Sequence, residues 1–250
     1  MITIQLGLMS PNVDNIVRLP FGRTGYHLFG PAEGVKIVLV HGLSTPSLIW
    51  HRIAPFLAEH GFHVLIYDLI GRGYSEAPGL QIEYTPDFYV TQLSLLMHHV
   101  NFTNAHILGL SMLLKGGGII AAFAATFPQM VTQKLDSKPA SLTEKLYALQ
   151  AASLPGFQHA VSSSILHGPI SGMEEAFKLI ANTAHIKSLI IHGTDDEAVD
   201  FSFGKKIHDI LAEKSELFVL EGADHDFIVG EVYYEQTRQK ILEFLSDSQE

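Results

Sequence analysis

The chain has 250 residues, 47% of them hydrophobic, which is enough apolar mass for one large α/β domain and too much for a disordered chain. Acidic residues outnumber basic ones 26 to 16, and the formal charge of −10 disfavours nucleic acid and anionic membranes while suiting a neutral or apolar small molecule. The absence of cysteine excludes disulfides, thiolate zinc sites and cysteine nucleophiles.

Met1–Ser10 shows neither the basic region nor the apolar run of a secretion signal, and no stretch approaches the ~18 apolar residues of a membrane span. A cytoplasmic protein is expected. In chain order, Val13–Leu19 and Tyr26–Gly30, punctuated by Gly22 and Gly25, read as an antiparallel hairpin at a sheet edge. Lys36–His41 is a short β-branched apolar run, the pattern of a buried central strand. Ser47–Glu59 carries Leu48, Ile49, Ile53, Phe56 and Leu57 at helical spacing and ends at His60-Gly61. Phe62–Tyr67 reads as a strand, Asp87–Val100 as a helix after Pro86, and Ala105–Leu110 as the next strand. A helix over Met112–Phe127 stops before Pro128, and Val131–Leu135 is a short strand candidate. Ser188–His192 and Leu217–Leu220 are strands flanking a helix near Phe203–Glu213, and Tyr233–Leu245 closes the chain as an amphipathic helix.

Strands alternating with helices, without repeats or linkers, predict a mainly parallel, doubly wound α/β sheet with helices on both faces. Between Lys138 and Ala184 the alternation lapses. Two helix-like pieces, Ser141–Ala152 and Gly172–Ala184, surround Leu154-Pro155-Gly156 and His167-Gly168-Pro169. The expected organisation is a core of residues 1–137 and 185–250, with 138–184 as a short helical cap.

The strongest chemical signal is Ile107-Leu108-Gly109-Leu110-Ser111-Met112. An apolar run ending in Gly-x-Ser describes a strand that turns sharply into a helix and presents a serine Oγ on a strained backbone. A serine hydroxyl needs a base within hydrogen-bond reach, and the base needs an orienting acid. Both follow downstream of predicted strands: Gly193-Thr194-Asp195-Asp196 and Gly222-Ala223-Asp224-His225. The order Ser, Asp, His is that of a hydrolase built on a doubly wound sheet. Asp136 stands as an alternative acid.

Together these segments resemble the α/β-hydrolase-fold serine hydrolases over nearly the whole chain. His41-Gly42-Leu43-Ser44 is similar to the family's His-Gly-x loop, and Asp68-Leu69-Ile70-Gly71-Arg72-Gly73-Tyr74-Ser75 to its Asp-x-x-Gly-x-Gly-x-Ser segment. Gly193-x-x-Asp196 and Gly222-x-x-His225 resemble its acid and histidine loops. The resemblance implies Ser111 as nucleophile, His225 as general base and then acid, and Asp196, which alone satisfies Gly-x-x-Asp, as the group orienting the imidazole. It implies an oxyanion hole from the backbone N–H groups of Leu43 and Met112, and a small acyl substrate such as an ester or lactone. Epoxide hydrolases and haloalkane dehalogenases of this fold use aspartate where Ser111 stands.

Two departures mark the chain. Leu113-Leu114-Lys115 intervenes before Gly116-Gly117-Gly118, where family members run small residues straight into the helix. Three extra residues advance a helix by 300° and about 4.5 Å. The strand that follows, ending at Asp136, is also shortened. The competing expectation is therefore a scaffold that binds a ligand or partner without turnover. Asp68 is expected to brace the loop beside His41. No cofactor is expected, since Gly71-Arg72-Gly73 lacks the third glycine of a dinucleotide fingerprint. No metal is expected at His60 and His63, because Phe62 opens a buried strand.

Overall fold

Apolar runs become strands where both of their faces can be covered. The computed structural model describes residues 16–79, 81–110, 141–170 and 172–247. They belong to two units, the described residues of 16–110 with those of 141–164, and those of 165–247. The predicted helix at 112–127 and strand at 131–135 lie outside the described residues.

In the first unit, strands β1 (Ile16–Leu19), β2 (Gly22–Phe29), β3 (Lys36–Val40), β4 (His63–Tyr67) and β5 (His106–Gly109) form a sheet of order β1-β2-β4-β3-β5. β1 and β2 are the expected antiparallel hairpin, and β2 pairs antiparallel with β4. β4, β3 and β5 run parallel, with Val40 opposite Tyr67 on one side and Gly109 on the other. Ile37, Val38, Leu39, Val64, Leu65 and Ile66 are fully buried, which explains why β3 and β4 read as unbroken apolar runs rather than alternating ones.

From β3 the chain crosses through α1 (Ile53–Glu59) to its neighbour β4, then returns through α2 (Pro86–His99) to β5 on the other side of β3. That reversal is a topological switch point, where such sheets leave a crevice at the strands' carboxyl ends. The loop after β3 and the exit of β5 toward Ser111 both emerge at that edge.

The predicted helix Ser47–Glu59 is two pieces, a 3-10 turn at Ser47–Trp50 and α1 from Ile53. Pro55 has no N–H to continue the ladder back to His51, and the Ser47 N–H is taken by Asp68 Oδ1 at 2.7 Å. Thr85 caps α2 by accepting from the Phe88 N–H, with Pro86 at the first helical position.

The segment from 141 holds helices α3 (Leu142–Ser153) and α4 (Phe157–His167). Ser141 and Glu144 form a reciprocal capping box at α3. No helix was expected where α4 stands, between Leu154-Pro155-Gly156 and His167-Gly168-Pro169. Its inward side carries Ser163 and Ser164 as well as Ala160, Val161 and Ile165, so apolar periodicity hides it. Those serines are matched by polar partners: the Tyr84 N–H donates to Ser163 Oγ, and Tyr89 OH bonds Ser164 Oγ at 2.7 Å. Of the 138–184 segment, Ser141–Ser164 belongs to the first unit, and the residues from Ile165 on belong to the second.

In the second unit, β6 (Ser188–Gly193) and β7 (Ser215–Leu220) pair in parallel, with Gly193 opposite Leu220. Helix α5 (Glu174–Asn182) meets α6 (Phe201–Leu211) through Glu174 and Lys206, and α7 (Glu231–Asp247) ends the described chain. Among the described residues no helix is long and apolar enough to cross a membrane.

Candidate active site

In the first unit, the loops after β3 and β4 are built around two buried polar residues. His41 Nε2 accepts the Leu69 N–H at 2.8 Å, so the ring proton sits on Nδ1, which donates to Gly42 O at 2.8 Å. Burial, reinforced by the Arg72 charge, lowers the His41 pKa to about 3 and keeps the imidazole neutral. Asp68 accepts the Ser47 N–H through Oδ1 and the Tyr74 N–H through Oδ2 at 2.8 Å, the bracing role expected of it. Burial raises its pKa despite those bonds. Gly73 has φ +53°, and a Cβ there would lie 2.2 Å from Asp68 Oδ2, so the turn over this carboxylate requires glycine.

Leu43 is half-buried at the carboxyl end of β3, and no described residue accepts a hydrogen bond from its N–H. Trp50 and the aromatic run Tyr84, Phe88 and Tyr89 are buried in the core. The Trp50 Nε1 and Tyr84 hydroxyl have no hydrogen-bond partner among the described residues.

In the second unit, the parallel register of β6 and β7 brings the acid and histidine loops side by side. The Thr194 N–H donates to Leu220 O and the Asp195 N–H to Ala223 O, both at 3.0 Å, while the Gly222 N–H donates to Thr194 Oγ1 at 2.8 Å. Gly193 permits this approach, because a Cβ there would stand 2.1 Å from Ala223 O.

Asp196 is buried, and its Oδ1 accepts the N–H groups of Ala198 (2.9 Å) and Val199 (2.7 Å). Its Oδ2 accepts His225 Nδ1–H at 2.8 Å. Burial alone would raise the Asp196 pKa, but the bonds from His192, His225 and Val199 outweigh it and hold the carboxyl well below the usual range. Burial likewise opposes charging of His225. The Asp196 bond and the nearby charges of Asp196, Asp226 and Asp224 prevail, and its pKa is raised above 6.5. The His225 side chain is 37% exposed, and its Nε2 has no partner among the described residues. An imidazole held this way, with Nδ1–H on a carboxylate, presents Nε2 as a base.

Asp196 and His225 are thus brought together, whereas Asp195 is exposed and accepts from Thr194 Oγ1–H. Ser111 and Met112 lie outside the described residues, as does Asp136. The strand-end His192 is satisfied at Val199 O (2.9 Å), but its Nε2 also stands 3.5 Å from Asp196 Oδ2, and this carboxylate contact raises its pKa. That second histidine was missed as part of the site. The pattern His192-Gly-x-x-Asp196 was the available signal. His60 Nδ1–H donates to Phe56 O and His63 packs on Phe102, and among the described residues no three His, Cys, Asp or Glu side chains are grouped to hold a metal.

Residues 36–162 match the protein family described as the alpha/beta hydrolase fold. An uncharacterized protein of Mycobacterium tuberculosis is 27% identical over 158 residues, 63% of this chain and 45% of that protein, so the chain spans less than half the length of this relative. A haloalkane dehalogenase of Mycobacterium marinum is 44% identical over 66 residues, 26% of this chain and 22% of the enzyme. The solved enol-lactonase from Burkholderia xenovorans shares the fold with a TM-score of 0.75 at 18% identity, covering 92% of this chain and 99% of the lactonase.

Proposed function

The chain belongs to the alpha/beta hydrolase fold family, and from that membership we propose that it is a serine hydrolase of small or medium carboxylic esters or lactones. The observation that carries the reading is the Asp196–His225 pair, with Nδ1 bound at 2.8 Å and Nε2 left unclaimed by any described residue. Ser111 directly follows Leu110, whose N–H continues the β5 pairing onto Val40 O. In the proposed reaction Ser111 Oγ attacks the acyl carbonyl while His225 Nε2 takes its proton. The N–H groups of Leu43 and Met112 receive the developing oxyanion. Collapse of the tetrahedral intermediate expels the alkoxide, protonated by His225, and leaves an acyl-enzyme. Water, deprotonated by the same imidazole, then releases the acid and restores Ser111. Asp196 keeps the imidazole in the productive tautomer and stabilises its cationic form. The cap assignment for 138–184 belongs to this reading, with cap residues selecting the acyl group.

Serine at position 111 favours acyl transfer over dehalogenation, despite the matching stretch of the mycobacterial dehalogenase. The enol-lactonase supports an ester-type bond. A binding protein without turnover is the second reading, favoured by Leu113-Leu114-Lys115 in place of small residues after Ser111. A fluorophosphonate probe separates the two. Labelling that is lost in Ser111→Ala, with hydrolysis of p-nitrophenyl butyrate, is the expected result. A folded protein that neither labels nor turns over ester substrates refutes it. Deletion of Leu113–Lys115 that raises the rate would show that the insert impairs the turn.

A further inference from the structure

Three successive carbonyls of the loop after β3 are each gripped by a different side chain. Gly42 O accepts from His41 Nδ1–H at 2.8 Å, Leu43 O from Arg72 Nε–H at 2.7 Å, and Ser44 O from Gln150 Nε2–H at 3.0 Å. Because a peptide unit is planar and trans, fixing its C=O fixes the N–H on its opposite side. The Gly42 carbonyl and the Leu43 N–H share one such plane. The next two planes are pinned as well, so the chain has little freedom to rotate the Leu43 N–H away. All three carbonyls are occupied, yet no described residue takes the Leu43 N–H.

His41 acts from within the loop. Arg72 and Gln150 come from elsewhere, and each is suited to its place. Arg72 is fully buried and spreads its donors over Leu43 O, Ile70 O (3.3 Å), Ala160 O (3.5 Å) and Ser164 Oγ (3.0 Å), the last two on α4. Its partners among the described residues are all neutral oxygens. Gln150, on α3, gives its amide N–H to Ser44 O and accepts the Gly73 N–H at Oε1 at 2.8 Å. Only a carboxamide of this length supplies a donor and an acceptor together; glutamate would lack the donor and lysine the acceptor.

We propose that Arg72 and Gln150 are positioning residues that preorganise the Leu43 N–H as an oxyanion donor, so that helices α3 and α4 support the catalytic loop as well as covering it. The proposal rests on the hydrolase reading above, with Leu43 as one donor. A loop held in this way costs no reorganisation when negative charge develops on the substrate oxygen, and that is where such donors gain their effect.

The test compares wild type with Gln150→Met, which keeps the side-chain length and removes both bonds, and with Arg72→Lys, which keeps the charge and loses the fork. Thermal melts establish that each variant is folded. Amide exchange by mass spectrometry on peptides spanning residues 41–49 reports the loop directly, without turnover. In Gln150→Met these amides are expected to exchange about 10-fold faster. The kcat for p-nitrophenyl butyrate should fall roughly 10- to 100-fold, in line with about 1 Å of misplacement. KM should stay within about 2-fold, and the Ki of phenylboronic acid, which forms a tetrahedral serine adduct, should weaken by the same factor as kcat. Unchanged exchange overturns the proposal, as does a loosened loop with kcat and Ki unmoved. A wild type that neither labels nor turns over defeats the hydrolase reading instead. The exchange comparison then judges the clamp alone.

Discussion

Asp196 serves two imidazoles with one oxygen, His225 at 2.8 Å and His192 at 3.5 Å, while two backbone N–H groups hold the other. The carboxylate is therefore pinned on all sides and cannot rotate without losing several bonds. Its charge raises the pKa of both histidines. Activity that depends on neutral His225 should accordingly fall as pH drops, with a midpoint above 6.5. Asp196→Asn keeps the acceptor for Ala198 and Val199 but removes the charge. We expect the midpoint of its pH–rate profile to move to lower pH and kcat to fall by about 10⁴-fold, as when a triad imidazole is left in the wrong tautomer. A midpoint that stays put would separate Asp196 from the reaction.

At the scale of elements, the starts of two helices have causes within their own first turn. Thr85-Pro86 and Ser141 with Glu144 announce their helices through side chains that bond the first free N–H groups. Ser141→Ala removes the cap of α3, which carries Gln150, and should cost about 1 kcal/mol in urea unfolding. A loss near zero would mean that tertiary contacts alone fix the start of the helix. Helix α4 eluded sequence reasoning because its inward side includes hydroxyls, whose partners Arg72, Tyr84 and Tyr89 lie at least 75 residues away in sequence. The split of Ser47–Glu59 had a visible cause in Pro55, but the competing pull of Asp68 on Ser47 spans 21 residues and is invisible to periodicity.

For the whole molecule, the ionisable groups impose opposing slopes on stability. Asp196 has a folded pKa below its unfolded value of ~3.9, so its contribution is complete above ~3.9 and is lost as pH falls from there through the folded pKa. His192 and His225 have raised folded values; their contribution is complete below ~6.5 and is lost as pH rises through the folded pKa. His41, held neutral by burial with a pKa of about 3, works the other way and loses stability as pH falls below ~6.5. The difference in Tm between wild type and Asp196→Asn cancels His41 and should be largest between about pH 4 and 6.5. A constant difference from pH 3 to 9 would refute the linkage. The sequence by itself determined the order of the described strands and of the described helices other than α4, the Gly-x-x-Asp and Gly-x-x-His loops and the serine to test, because these are written in local periodicity and turn chemistry. Only the tertiary structure decided that His192 shares Asp196, and that Arg72 and Gln150, 29 and 106 residues from their partners, grip the loop at Leu43 and Ser44. Those bonds join segments with no sequence relation, and only folding the sheet and docking α3 and α4 bring their donors within reach.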